Sequence, residues 1–167
     1  MEYGLRAWCM EDAPDLAASI GNRNVQRNLR DGIPFPYTQE DARSFIAETL
    51  AADPEQTFAF AVTADDRAVG SIGIFRQGNI HFRTAELGYY IAEPFWGRGI
   101  ATFAVRRACV HVFEHTDILR IFAEPFAYNT ASCRVLEKCG FVLEGTMRKN
   151  AFKDGQVLDM KLYALTR

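Results

Sequence analysis

The segment Trp96–Ala101 has the sequence WGRGIA, with two glycines around an arginine between a strand-like run and an apolar stretch that contains alanines. Glycines at such a junction let backbone N–H groups close on an anion at the start of a helix. The chain contains no G-x-x-x-x-G-K-S/T phosphate loop. The dinucleotide pattern G-x-G-x-x-G fits at Gly97 and Gly99 but fails at Thr102. Two interpretations remain, a general pyrophosphate cradle or a plain turn of the chain.

A second candidate segment, Asn129–Phe141, has the sequence NTASCRVLEKCGF and predicts a short helix. Asn129 is a favoured N-cap type, and Gly140 suits the left-handed position that follows a helix. Ser132, one turn after Asn129, either bonds the backbone, as serines early in helices do, or serves chemistry. Cys133 beside it has no histidine in an evident triad, so we interpret it as a small buried thiol.

The run His111–His115, HVFEH, matches the H-x-x-E-H pattern of some zinc enzymes. It falls at the C-terminal end of a predicted helix, where histidines suit the helix dipole. No third ligand is suggested by the sequence, so we predict no metal site.

Composition and charge set the class of protein. The 167 residues, 49% hydrophobic and 24% charged, suit one globular domain, and we assign 1–167 to it. A net charge of −2 gives no basic field that would attract nucleic acid. Four cysteines without a C-x-x-C pair favour free thiols in a reducing compartment. No basic-then-apolar leader or membrane-spanning stretch is visible, so we expect a cytoplasmic protein that binds neither nucleic acid nor membrane.

The two candidate segments must be positioned by strands and helices. A capping box at Thr38–Asp41 predicts a helix whose apolar face includes Leu50, and Asp12 is expected to cap an earlier helix. The predicted strands are 3–9, 58–62, 68–75, 81–91, 119–123, 141–147 and 157–165, and the predicted helices are 12–20, 38–50, 100–114 and 129–139. This order predicts an α/β fold, a mixed sheet with helices on both faces.

Two runs, YYIAEPFWGRGIAT and NTASCRVLEKCGF, together resemble the GNAT superfamily of acetyl-CoA-dependent N-acetyltransferases, and the likeness covers most of the chain. Gly99 and Ala101 match the superfamily's Q/R-x-x-G-x-G/A motif, with Trp96 in the Q/R place. That tryptophan, the runs IPFPYTQEDARSFI and LEGTMRK, and the late FKDG…D stretch resemble the RimJ/RimL branch, which includes ribosomal-protein N-terminal acetyltransferases. The resemblance implies the GNAT fold, a mostly antiparallel sheet that splays at a central parallel pair.

The resemblance also implies acetyl-CoA as co-substrate. Backbone groups of Tyr89 and Ile91 would pair with the pantetheine arm, an amide near Tyr90–Ile91 would polarise the thioester carbonyl, and the amides of 98–102 would hold the pyrophosphate. Asn129 would contact the arm, and Ser132 would lie near the sulfur. The expected cofactor-binding residues are Tyr89, Tyr90, Ile91, Trp96, Gly97, Arg98, Gly99, Ile100, Ala101, Thr102, Asn129 and Ser132.

By the same resemblance, the acetyl group passes directly to an amine. The superfamily's tyrosine acid falls at Leu136, which has no proton to give, so Ser132 is the expected partner of the leaving thiolate. Glu124 is the first candidate for the general base, Glu86 the second and Asp159 the third; each is alternatively a solvated or ion-paired carboxylate. An α-amine has a pKa of about 7.7–8.0, against about 10.4 for lysine, so it is also open that no dedicated base is needed.

The leading acceptor class is a protein N-terminus, while polyamines, amino acids and aminoglycoside-like antibiotics stay open. Arg23, Asn24 and Arg27 either line the acceptor site or form a solvated face, and Phe35 and Tyr37 are expected to wall the pocket. The alternative function is a non-catalytic acyl-CoA-binding module on the same fold. A homodimer is left open, with the apolar run 157–165 as one interface.

Overall fold

The computed structural model describes residues 1–167, arranged around one seven-stranded sheet in the order β1-β2-β3-β4-β5-β7-β6. The strands are β1 (Tyr3–Arg6), β2 (Thr57–Ala64), β3 (Arg67–Arg76), β4 (Thr84–Ile91), β5 (Arg120–Ala123), β6 (Val142–Lys153) and β7 (Gln156–Thr166). The α-helices are α1 (Ala13–Ile20), α2 (Arg23–Gln26), α3 (Gln39–Ala51), α4 (Ile100–His115) and α5 (Thr130–Lys138). Neighbouring strands are antiparallel except β4 and β5. The mixed, mostly antiparallel sheet is therefore confirmed.

Helices cover both faces of this sheet, as the sequence predicts. Alternation along β2 shows the two faces, because Ala61 belongs to a small core shared with α1 and α3, and Val62 to the main core shared with α4 and α5. Helix α4 turns Ala104, Ala108 and Val112, at helical spacing, into the main core. No helix is both long and apolar enough to span a membrane.

The parallel pair β4–β5 separates after a short contact. Pairing covers three residues of each strand and ends where Glu86 lies opposite Phe122. Beyond that point β4 continues along β3 to Ile91, whereas β5 ends at Ala123. The two carboxyl ends therefore diverge and leave a notch in the middle of the sheet, which confirms the expected splay.

Turn and cap chemistry sets the ends of several elements. Thr38 accepts the N–H of Asp41 at 3.1 Å while Asp41 accepts the N–H of Thr38 at 2.9 Å, so the predicted capping box is confirmed. The turns Asp65–Asp66 and Asp154–Gly155 have φ values of 48° and 65°, and of 51° and 76°. Two consecutive positive φ angles match the right-handed twist of a tight hairpin.

Three strands begin or end three or more residues from the predicted boundary. Strand β1 ends at Arg6 rather than Cys9, because its pairing with β2 stops at Arg6 and a 3-10 turn begins at Met10. Strand β4 begins at Thr84, because Asn79–His81 form a short 3-10 turn in which Asn79 has a φ of 55°. Strand β6 runs to Lys153 rather than ending at Met147, because the β6–β7 pairing resumes after an irregularity. At that irregularity Lys149 has a φ of 56°, a local strain that the hydrophobic alternation does not signal.

Two helix expectations were wrong. Asp12 does not cap α1, because its carboxylate instead accepts the N–H of Cys9 at 3.0 Å and two bonds from the Arg6 guanidinium at 2.8 and 2.9 Å. Leu50, expected on the apolar face of α3, is 54% exposed, and only Ala42 and Ile46 of that helix are buried. The buried stripe of α3 is thus narrower than its sequence suggests.

Candidate active site

The notch between β4 and β5 exposes backbone groups of β4. The N–H of Ala92 bonds the carbonyl of Val69 in β3, so the N–H and C=O of Ile91 point away from β3. Alternation turns the backbone groups of Tyr89 the same way and directs those of Tyr90 toward β3. Because β5 no longer pairs at this level, Tyr89 and Ile91 form a free strand edge.

Trp96 takes one of the groups on this edge. Its indole Nε1–H donates to the carbonyl oxygen of Ile91 at 2.7 Å. The groups left free are the N–H of Ile91 and both backbone groups of Tyr89. The indole bond also holds the start of the following loop against the end of β4, so the strand edge and the loop are positioned together.

The loop after Trp96 and the first turn of α4 contain a run of backbone amides that have no hydrogen-bond acceptor in the protein. Gly97 and Gly99 have φ values of 75° and 78°, which favour glycine. None of the amides from 97 to 102 donates a hydrogen bond within the protein; the first to do so is that of Phe103, to the carbonyl of Gly99. A Cβ at Gly99 would meet no protein atom within 4 Å. Unpaired donors, the positive end of the helix dipole and the charge of Arg98 together suit a phosphate group.

Across the notch, α5 presents Ser132. Asn129 caps α5 by accepting the N–H of Ser132 at 3.3 Å, as predicted. The Oγ of Ser132 lies 2.6 Å from the hydroxyl of Tyr89. Burial raises the pKa of Tyr89 to about 12, although the bond with Ser132 opposes that shift. Position 136 of α5 is a fully buried leucine, which has no hydroxyl. The phenol beside this site therefore comes from Tyr89 of β4.

Arg30 joins the two leading base candidates. One guanidinium nitrogen, Nη2, lies 2.6 Å from Oε2 of Glu86 and 3.5 Å from Oε2 of Glu124. The hydrogen bond with Glu86 is the main cause that raises the pKa of Arg30. Glu86 belongs to β4 and Glu124 directly follows β5, so each flank of the notch contributes one carboxylate. Asp159 is occupied elsewhere, since it accepts the N–H of Lys149 in the β6–β7 hairpin at 2.8 Å.

Two cavities lie on the α2 side of the notch. The first has a volume of about 410 Å³ and joins α2, the loop at Trp96 and the start of α5. The second has a volume of about 380 Å³ and is bordered by α2, the loop after it and the β6–β7 turn. The charged residues around the second cavity are Arg23, Arg27, Arg30, Lys153, Asp31 and Asp154.

The expected acceptor residues divide into two groups. Arg23, Asn24 and Arg27 line these cavities, and the Arg23 guanidinium lies over the Phe35 ring, 3.9 Å from its centroid. Asn24 also donates to Glu93 at 2.8 Å, which ties α2 to the loop before Trp96. Phe35 and Tyr37, both expected to wall the pocket, line neither cavity; Tyr37 packs against the small core instead, together with the side chain of Tyr90.

The other chemically competent side chains lie apart from the notch or inside the core. Cys133 is buried in the main core. His111 and His115 stack with ring centroids 4.4 Å apart, and Nδ1 of His115 lies 2.8 Å from the His111 carbonyl. The structure contains no group of three or more histidine, cysteine, aspartate or glutamate side chains that could hold a metal ion.

Two side chains of the site were missed by the sequence. Arg30 sits in an irregular segment, and no spacing distinguishes it from Arg23 and Arg27. For Tyr89, the sequence resemblance predicts a role of the backbone alone and none of the side chain. Its two-residue spacing from Leu87 and Ile91, which face the main core, would have placed it on the α5 side.

Comparison with known proteins identifies the family. The acetyltransferase (GNAT) domain matches residues 3–142. The probable N-acetyltransferase YjcK of Bacillus subtilis (strain 168) is 36% identical over 132 residues, 77% of this chain and 73% of that protein. The putative ribosomal N-acetyltransferase YdaF of the same organism is 32% identical over 163 residues, 94% of this chain and 87% of that protein. Mycobacterium smegmatis RimJ in complex with CoA-disulfide superposes with a TM-score of 0.87 at 26% identity, covering 98% of this chain and 81% of that one. The chain belongs to the GNAT family of acetyltransferases.

Proposed function

We propose that the protein, acting as one domain over residues 1–167, transfers an acetyl group from acetyl-CoA to the α-amine of a protein or peptide N-terminus. The observation that carries this proposal is the continuity of the free β4 edge with the free amides of 97–102. An extended arm and a diphosphate are the two chemical features that such a surface fits. The name of YdaF, a putative ribosomal N-acetyltransferase, supports a protein acceptor.

On the cofactor side, the free backbone N–H and C=O of Tyr89 bind the pantetheine arm, and the one free group of Ile91, its N–H, faces the thioester end of that arm. The amides of Arg98–Thr102 bind the pyrophosphate, and Gly97 and Gly99 keep side chains out of its way. Trp96 holds the loop in register with β4 through its bond to the Ile91 carbonyl. The fit is good because these donors have no partner within the protein.

When bound, acetyl-CoA supplies an activated thioester. The N–H of Ile91 faces the notch and is the donor that we assign to the carbonyl oxygen, whereas the N–H of Tyr90 is directed at β3. Ser132 passes its proton to the sulfur as the C–S bond breaks and takes the proton of the Tyr89 hydroxyl in its place, and water reprotonates Tyr89 afterwards. Tyr89, whose raised pKa keeps it protonated near neutral pH, donates to Ser132 and so leaves the serine hydroxyl free to point at the sulfur.

On the acceptor side, Glu124 and Glu86 attract the amine and accept its proton, directly or through water. An α-amine with a pKa of about 7.7–8.0 is roughly one-tenth neutral at pH 7, so this step asks little of a carboxylate. A lysine amine, with a pKa of about 10.4, would be far scarcer in its neutral form. The ion-paired carboxylates of this site therefore suit an α-amine better than a lysine.

The rest of the acceptor lies in the two cavities beside α2. Arg23, Asn24 and Arg27 line these cavities. The Phe35 ring packs against the guanidinium of Arg23 and positions it. We place the reaction in the cytoplasm, with no nucleic acid or membrane as partner. A homodimer would use the β6–β7 hairpin, where Phe152 is 69% and Val157 is 60% exposed.

Calorimetric titration with acetyl-CoA, with dephospho-CoA and NAD as controls, tests the cofactor half of the proposal. Thiol release in the presence of N-terminal peptides, free lysine, polyamines and aminoglycosides tests the acceptor half. We expect acetyl-CoA to bind, NAD not to bind, and peptides to release the most thiol. Binding without turnover on every amine would support the acyl-CoA-binding module instead, and no binding would overturn the proposal.

A further inference from the structure

The carboxylates of Glu86 and Glu124 form a site for a cation. Their side chains are 22% and 25% exposed, so both are partly withdrawn from water, and one guanidinium nitrogen reaches both of them. Two carboxylates with one guanidinium carry a net charge of −1, and without the guanidinium they would carry −2. Charges in such a half-buried site interact more strongly than they do in bulk water.

The strands on either side of Glu86 place apolar residues beside it. In the sheet register Glu86 lies opposite Phe75 on β3 and opposite Phe122 on β5. Residues directly opposite one another in a sheet project from the same face. The two apolar side chains therefore share a face of the sheet with Glu86, whose side chain is 22% exposed. A carboxylate with little water around it attracts a cation more strongly than one in bulk water.

Arg30 occupies this site, but its side chain is not part of the hydrophobic core. It comes from the segment after α2, its side chain is 62% exposed, and its guanidinium donates hydrogen bonds only to the two carboxylates. It can therefore be removed without opening a core. The neighbouring cavity carries a net positive charge even without Arg30, because Arg23, Arg27 and Lys153 border it against two acidic residues.

We propose that Arg30 is a specificity-determining residue, which occupies a cation site in the acceptor cleft and so keeps polyamines out. The inference rests on the proposed function in that it takes this cleft as the acceptor site. With Arg30 in place, the remaining charge of −1 accommodates the single amine of a peptide N-terminus. A polyamine would have to displace the guanidinium and place its further ammonium groups beside Arg23 and Arg27, where like charges repel.

Spermidine binding tests this inference, with calorimetry on protein saturated with CoA so that no turnover occurs. The variants are Arg30→Gln, which removes the charge, and Arg30→Lys, which keeps it. Arg67→Gln is the matched control, because Arg67 pairs with Asp15 at 2.7 Å on an exposed surface away from the cleft. We expect Arg30→Gln to bind spermidine about tenfold or more tightly than the wild type, as expected for removing one close repulsive charge. Arg30→Lys and Arg67→Gln should stay within about twofold of the wild type.

Several results would overturn the inference: tight spermidine binding by the wild type, no gain in Arg30→Gln, or an equal gain in Arg67→Gln. The CoA titration that precedes each experiment keeps the two proposals apart. If CoA binds and Arg30→Gln gains nothing, the role of Arg30 fails while the proposed function stands. If CoA does not bind, the proposed function fails, and the same titration without CoA still decides whether Arg30 guards a cation site.

Discussion

The hydroxyl of Tyr89 lies 2.6 Å from Oγ of Ser132, and this contact joins the free edge of β4 to the first turn of α5. The Asn129 side chain caps the helix at the same turn, so the serine hydroxyl is not needed for capping. The Tyr89 phenol is therefore within hydrogen-bond distance of the serine hydroxyl. It comes from β4, because Leu136 occupies the helix position where the superfamily carries its tyrosine. In the function proposed above, this pair from two different elements of the fold is the proton source for the leaving thiolate.

The first prediction concerns this pair. Ser132→Ala should lower kcat by about 100-fold, the lower end of the range for general acid catalysis, while acetyl-CoA affinity changes by less than about twofold. Tyr89→Phe should lower kcat less, and the double variant should resemble Ser132→Ala, because the phenol acts through the serine. The measurement is steady-state kinetics with a peptide acceptor, together with calorimetry of acetyl-CoA binding.

Ser19→Ala is the matched control for that experiment, because Ser19 bonds a backbone carbonyl in α1 at 2.8 Å and lies away from the notch. It should leave kcat unchanged. A Ser132→Ala variant with wild-type kcat would return Ser132 to a structural role, and fully additive losses in the double variant would show that Tyr89 acts separately.

The second prediction is the shape of the pH profile. Because the pKa of Tyr89 is raised to about 12, the phenol keeps its proton well above neutral pH. The profile of kcat/KM should then rise as the acceptor α-amine loses its proton, at about pH 7.7–8.0, and stay level to about pH 10. Tyr89→Phe should lower the plateau without moving the rise. A falling limb near about pH 9 in the wild type would contradict this assignment, because no donor of the proposed set titrates there.

The elements of the fold could be predicted because their signals are local. The Thr38–Asp41 capping box, the Asp154–Gly155 turn and the Asn129 cap all lie where the sequence places them. Two of the boundaries that failed depend on single backbone angles, the φ of 55° at Asn79 and of 56° at Lys149. Asparagine is among the residues most often found at such an angle and lysine is not, while hydrophobic alternation specifies neither.

The site could be predicted in part for the same reason. The glycine loop and the α5 segment are continuous in sequence, so motif spacing could find them. The Tyr89–Ser132 contact joins residues 43 apart, and Arg30 reaches Glu86 and Glu124 across 56 and 94 residues. Such contacts depend on the packing of α2 and α5 around the notch. A single sequence gives no local signal for that packing.

The third prediction concerns Gly99. Gly99→Ala and Gly155→Ala should destabilise the protein by similar amounts, about 1–2 kcal/mol, because both residues have a left-handed φ and open space at the Cβ position. Only Gly99→Ala should weaken acetyl-CoA binding, by about tenfold or more, because its methyl group intrudes on backbone donors that approach the phosphate. Urea denaturation measures the first effect and calorimetry the second. Unchanged affinity in Gly99→Ala, or an equal loss in both variants, would remove the pyrophosphate from this loop.

The last prediction concerns the ion pair beneath the start of α1. The Arg6 guanidinium bonds the Asp12 carboxylate through two nitrogens and is the main cause that lowers its pKa. Asp12 is 5% exposed, so Asp12→Asn should cost about 2–4 kcal/mol of unfolding free energy at neutral pH, as expected for breaking a largely buried pair. Asp15→Asn, which breaks the exposed pair with Arg67, should cost less than about 1 kcal/mol.

The pH dependence of that difference separates the ion pair from a simple packing defect. A lowered folded-state pKa means that the contribution of Asp12 is complete above the unfolded-state pKa, about 3.9, and is lost as the pH falls through the folded-state pKa. The gap between wild type and Asp12→Asn should therefore stay constant from about pH 7 to about pH 5 and shrink below about pH 4. Urea denaturation across that range measures the gap. A gap that does not shrink in acid would mean that the variant loses packing around Cys9 rather than the charge interaction with Arg6.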